Sequence, residues 1–150
     1  MDPAPRRFSE LTTDAELGVP VPFACTSHQY GERDDPPDSV RRLDGRRVTQ
    51  CALSRVCGVC GATLGRPITF LGSRAEAARN AFHFPPCHLE CARSLHDAVR
   101  GLDAAVLGQD TAIETWVLAT TSSFEFARPG RDDEDRRPTF GPNEILSVVD

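Results

Sequence analysis

The sequence predicts a small α+β protein in which one helix and several short strands gather around a cluster of cysteine and histidine. Three observations carry that prediction. Two spaced pairs, Cys57-x-x-Cys60 and His88-x-x-Cys91, stand 27 residues apart. Leu89, Ala92, Leu95, Val99 and Leu102 recur at helical spacing, between Pro85–Pro86 ahead and Gly101 behind. Three runs, over 66–72, 111–127 and 144–149, are rich in β-branched and aromatic residues bounded by turn formers.

The elements follow in order. Residues 1–19 read as a flexible, exposed arm, and 20–150 as one domain with its core over about 51–102 and C-terminal strands over 111–149. "VPVPFAC" (19–25) predicts a short strand whose two prolines suit a sheet edge. "GERDDPPDS" is a loop. "RRVTQCALSRVC" (46–57) fits either strand or a helical turn. "RPITFLG" (66–72) is a strand, and Ser73 with Glu76 three residues on opens a short helix over 73–81. A helix over 88–100 ends at Gly101, where a C-cap glycine belongs. "RPGRDDEDRRP" separates the strand region 111–127 from a last strand at 144–149.

Composition narrows the function classes. The chain of 150 residues has 39% apolar and 26% charged residues and a net charge of −5. It holds no run of about 18 apolar residues, so no membrane span is expected. The N-terminus lacks an apolar signal region, which makes the cytoplasm the expected compartment. In that compartment six cysteines argue for metal before disulfides. All 17 basic residues are arginine, so every cation presents a planar fork for carboxylate or phosphate. The acidic balance disfavours strong non-specific nucleic-acid binding. Residues 41–100 run against it, with ten arginines against four acids. Within them "RRLDGRR" (Arg41, Arg42, Arg46, Arg47) reads as a solvated turn first and an anion contact second.

"RVCGVCGATLG" points two thiolates at one place, with glycines that let backbone amides approach the sulfurs. His88 and Cys91 at the start of the predicted helix would share a face and meet them. Three cysteines and one histidine are the closed donor set of structural Zn2+, and a thiolate at a helix N-terminus gains further from the helix dipole. Cys87 is an alternative to His88, since Cys87 and Cys91 also share a helical face; the position of Pro86 favours His88. Cys25-x-x-His28, with Cys51 and Cys87, supplies the residues for a second metal on a weaker pattern. His83 and His96 read as packing or surface residues.

The order knuckle, extended hairpin, then a helix whose first turn supplies the last ligands resembles a treble-clef zinc finger. "CGVCGATLGRPITFLGS … FPPCHLECARSL", followed by "ETWVLATTSSFEF", is similar to small treble-clef-like proteins of actinobacteria and their phages. The resemblance covers 51–96, and more loosely the C-terminal strands. It implies a zinc set at Cys57, Cys60, His88 and Cys91, and implies no activity.

Three function classes follow. The first is a non-enzymatic, zinc-stabilised binding or adaptor protein with a protein partner. The second is a nucleic-acid-binding zinc finger, with Arg66, Arg74, Arg79 and Arg93 as candidate phosphate contacts. The third is a zinc-dependent hydrolase, deaminase or HNH-type nuclease. "HLE" gives the H-x-E of a deaminase with Glu90 as base, but Cys91 would crowd the open position that water needs. His83 is the one histidine near the place an HNH nuclease would use.

Overall fold

The computed structural model describes residues 8–26 and 38–150, with strands and helices mixed and every strand pairing antiparallel. Helix α1 (Gly45–Ser54) is followed by strand β1 (Ile68–Ser73), helices α2 (Arg74–Arg79) and α3 (Leu89–Val99), and then strands β2 (Trp116–Thr121), β3 (Phe124–Ala127), β4 (Thr139–Pro142) and β5 (Ile145–Val149). β2 lies between β1 and β5 in a three-stranded sheet, and β3 pairs with β4 in a two-stranded one. No helix is long and apolar enough to cross a membrane, among the described residues.

The β1–β2 pair is the centre of the molecule because both of its faces are covered. Leu71 opposes Leu118, and both join a core with Trp116, α3 residues Ala92, Leu95 and Val99, and Cys57, Cys60 and Cys87. One step along, Phe70 opposes Ala119, and both join a second core with Ile68, Val48, Phe82 and Phe140. Successive strand side chains point to opposite faces, so one pair of strands divides the two cores. Gly72 of β1 allows the close approach this needs: a Cβ there would lie 2.6 Å from the Phe82 ring and 2.9 Å from Glu76 Oε1.

Two backbone bridges tie the 82–87 segment in place. Thr69 and Cys87 exchange both amide hydrogen bonds, at 2.9 and 2.8 Å, and Phe82 and Phe140 do the same at 2.9 and 2.7 Å. α2 opens with a full capping box: Ser73 Oγ accepts from Glu76 N while Glu76 Oε1 accepts from Ser73 N. That carboxylate is buried and also accepts from His83 N at 2.8 Å and Gln109 Nε2 at 2.6 Å.

Several sequence expectations need correction. Residues 8–19 are not an exposed arm: Leu11, Asp14 and Val19 are buried, and Thr13 bridges Pro20. The cause is Asp14, whose carboxylate accepts from the Glu16 and Leu17 amides, the Ser39 hydroxyl and the Val40 amide, at 2.9–3.1 Å. The expected strand over 19–25 is a short 3-10 turn at Phe23–Cys25, because Val21, Phe23 and Ala24 bond to Thr12, Val59 and Gly58 rather than to a neighbouring strand. Residues 46–57 resolve as helix α1, which Asp44 caps by accepting from Arg47 N at 3.0 Å. The single strand region 111–127 breaks at Ser122–Ser123 into β2 and β3, which belong to different sheets. β4 was not expected from "RRPTFGP"; it forms because Phe140 pairs with Phe82 and packs against Phe126 at 5.0 Å.

Candidate metal centre

Cys57 and Cys60 sit in a tight turn closed by the Val56–Thr63 bridge. Cys57 N donates to Ala62 O at 2.8 Å and Gly61 N to Cys57 O at 2.9 Å. Gly61 has φ +76°, and a Cβ there would lie 2.8 Å from the Phe23 ring, so the turn requires glycine on both counts. Two backbone amides aim at sulfur, from Val59 N at 3.3 Å and His88 N at 3.5 Å, both to Cys57 Sγ.

His88 reaches the same place from the other side, by a route the sequence did not indicate. It is the N-cap of α3, with extended backbone (φ −62°, ψ 147°), rather than a residue of its first turn. An N-cap side chain leans over the third helical residue, here Cys91, so cap geometry brings the pair together. Nδ1 lies 3.4 Å from Cys60 Sγ and 3.7 Å from Cys91 Sγ. Nε2 lies 2.9 Å from Thr63 O. A carbonyl only accepts, so Nε2 carries a proton there and Nδ1 can offer its lone pair to an ion among the sulfurs. A backbone carbonyl that orients a histidine through its other nitrogen is the usual support of a metal ligand.

The ligand atoms of Cys57, Cys60, His88 and Cys91 all lie within 4.8 Å of one another. A tetrahedral ion with metal–sulfur bonds of about 2.3 Å separates its donors by about 3.8 Å, so the group closes on an ion with shifts of about 1 Å. These four residues are positioned to hold a metal ion. Their protonation fits that use. Burial opposes a charge on Cys57, but hydrogen bonds from Cys60, Cys87, Cys91 and His88 outweigh it and hold its thiol far below the usual range. The Cys57 thiolate in turn pushes the Cys60 and Cys91 thiols up, and raises the His88 imidazole. Unaided, the cluster concentrates its negative charge on one sulfur; a divalent cation allows the others to lose their protons.

The remaining candidates stand outside that group of four. Cys87 is fully buried and stands outside the group of four, with Sγ 3.3 Å from Pro85 O. Burial first, and then the Cys57 thiolate, keep its thiol protonated. Cys51 is buried in α1, and Cys25 Sγ lies 3.9 Å from Val40 O; burial raises both thiols. The second-site residues Cys25, Cys51 and Cys87 form no ligand group among the described residues, and His28 lies outside those residues. His83 is buried between Arg79, 3.4 Å from its Nε2, and Pro138 O, 3.3 Å from its Nδ1. His96 is buried on α3. Glu90 is exposed and paired with Arg93 at 3.0 Å. Of the candidate phosphate contacts, Arg93 is thus engaged, Arg74 pairs with Asp150 at 2.6 Å, Arg79 contacts His83, and Arg66 is exposed.

Sequence reasoning missed Thr63, whose carbonyl orients His88, and Phe23, which closes over Gly61 and carries the Arg47 guanidinium 4.3 Å from its ring centroid. The glycine after Cys60 was the available signal for a close neighbour. No family model matches this chain, and no curated protein or solved structure matches it.

Proposed function

We propose that this chain is a zinc-stabilised binding or adaptor protein, with a structural Zn2+ held by Cys57, Cys60, His88 and Cys91 in a treble-clef arrangement. The observation that carries the reading is the His88 ring, with Nε2 on the Thr63 carbonyl and Nδ1 turned to two sulfurs. Three thiolates and one imidazole favour zinc over harder cations, and four protein donors close its coordination. The treble-clef assignment rests on the knuckle at 57–60, the extended segments around Thr69 and Cys87, and α3 beginning at the last two ligands. A closed ion replaces apolar volume in a small core and leaves the outer surface for a protein partner. Nucleic-acid binding ranks second, because the chain carries a net charge of −5 and Arg74 and Arg93 are each already paired with one acid of the chain.

Cobalt substitution tests the reading. The expected result is one metal per chain with a tetrahedral spectrum of three sulfurs and one nitrogen. Cys87→Ser should leave that spectrum unchanged, and His88→Ala should alter it. A five-coordinate spectrum, or one that shifts when small anions are added, would mean an open site and sink the structural assignment; Glu90→Gln would then be assayed for loss of hydrolysis.

A further inference from the structure

β5 is the outer strand of its sheet, so one row of its backbone amides and carbonyls faces away from β2. Its side chains are as open as its backbone: Ile145, Leu146, Val148 and Val149 are 40, 58, 48 and 54% exposed. Among the described residues only Leu53 is another large apolar side chain left so open. Natural sheets commonly blunt such an edge with lysine, proline, an inward charge or a bulge. Of these "ILSVV" has the bulge alone, where the register steps from Thr120↔Ser147 to Thr121↔Ile145 and skips Leu146. The skipped residue is the most exposed of the four. An apolar, two-sided edge with no strand partner among the described residues is the signature of an interface rather than of a finished surface.

The charges around β5 say what covers it. Its hydropathy is symmetric about Ser147, with two apolar residues on each side. Glu144 precedes the strand and Asp150 follows it, and Arg74 holds Asp150 at 2.6 Å. A twofold axis near Ser147 with antiparallel pairing sets Ile145 opposite Val149 of a second copy and Leu146 opposite its Val148. The same axis sets Glu144 opposite the Arg74–Asp150 pair of that copy, so the exposed guanidinium gains a second carboxylate. All pairings in the sheet are already antiparallel, and the two sheets would run on as one of six strands.

We propose that β5 is the interface of a symmetric homodimer, formed by edge-to-edge pairing around Ser147. The proposal is independent of the zinc reading. Five half-exposed residues offer less than the roughly 800 Å² that each partner gives to a standard interface, so the dimer forms in a concentration-dependent way.

Sedimentation equilibrium on the metal-loaded full chain, over a wide range of concentration, tests it. The wild type should pass from the chain mass to twice that mass. Leu146→Lys with Val148→Lys should remain at the chain mass throughout; both positions are exposed, and unchanged metal content and circular dichroism serve as the folding control. Arg74→Glu should weaken association about tenfold, and adding Glu144→Arg should restore it by exchanging the charges across the axis. A wild type that stays monomeric leaves β5 to another partner and overturns the proposal. So does a lysine variant that still dimerises, or a charge exchange that restores nothing.

Discussion

The two faces of the β1–β2 pair solve the same packing problem with different materials. On one face, Phe70, Phe82 and Phe140 fill the space, with Phe70 and Phe82 stacked at 5.4 Å and Phe124 and Phe126 closing the edge. On the other, Leu71, Phe84, Leu95, Trp116 and Leu118 are joined by the short side chains of Cys57, Val59, Cys60, Cys87 and Ala92, and the Phe84 and Phe23 rings close over Gly58 and Gly61 of the knuckle. Five phenylalanines bury enough apolar surface to hold their side without help. The knuckle side adds to its apolar packing three sulfurs whose negative charge rests on Cys57, and it is the side positioned to hold an ion. Under the proposed function, coordination adds to the apolar packing of one face, and the other face rests on apolar packing alone.

That contrast is open to direct attack, and the largest effect should come from the ion. Structural zinc contributes on the order of 10–16 kcal/mol of apparent binding energy, comparable with the roughly 5–15 kcal/mol total stability of a domain. Chelation, or Cys57→Ser, should abolish amide protection at Val59, Gly61 and His88 while Phe82 and Phe140 keep theirs. Hydrogen exchange read residue by residue checks this. Simultaneous loss on both faces would show that the two cores are not separable.

The aromatic face should respond the other way. Phe140→Ala should cost about 3–5 kcal/mol, as large-to-small core changes do, with metal content unchanged. A denaturant midpoint together with a metal assay reads both. Loss of metal in this variant would join the two faces into one unit.

A smaller effect sharpens the comparison at its periphery, where neither phenylalanine nor metal reaches. Burial alone would raise the Asp14 carboxyl, but hydrogen bonds from Leu17 N, Ser39 Oγ, Val40 N and Glu16 N outweigh it and hold the group below its usual value. A depressed folded value contributes stability that is complete above the unfolded pKa, about 3.9, and is lost as pH falls through the folded one. Asp14→Asn should therefore cost about 1–3 kcal/mol at neutral pH, and the gap to wild type should close in acid. Stability curves at several pH values check it; a gap that persists in strong acid would place the effect elsewhere.

Local chemistry made part of this fold legible from the chain alone. Ser73 and Glu76 are three residues apart and form the capping box their spacing implies. Pro85, Pro86 and Gly101 bracket α3, and Gly101 has the positive φ, +82°, that a helix end needs. The four donors come together in space as the two pairs suggested. In each case the determinant lies within a few residues of its effect.

Elements that depend on distant partners were read wrongly or not at all. α1 was ambiguous because its cap, Asp44, and its buried Val48 and Cys51 make too thin a stripe to separate strand from helix. β4 exists because Phe82, some 58 residues earlier, offers it a backbone partner. Residues 8–19 are anchored by one carboxylate that reaches Ser39 and Val40.

The choice between Cys87 and His88 marks the boundary most clearly. The sequence by itself determined that this stretch offers sulfur and imidazole in adjacent positions, and that a helix follows. Only the tertiary structure shows that Cys87 reaches Cys57 alone, whereas His88 stands within the group of four. Pairing of Cys87 with Thr69 buries that thiol beside Pro85, where it hydrogen-bonds to Cys57, and the N-cap position of His88 brings its Nδ1 to Cys60 and Cys91.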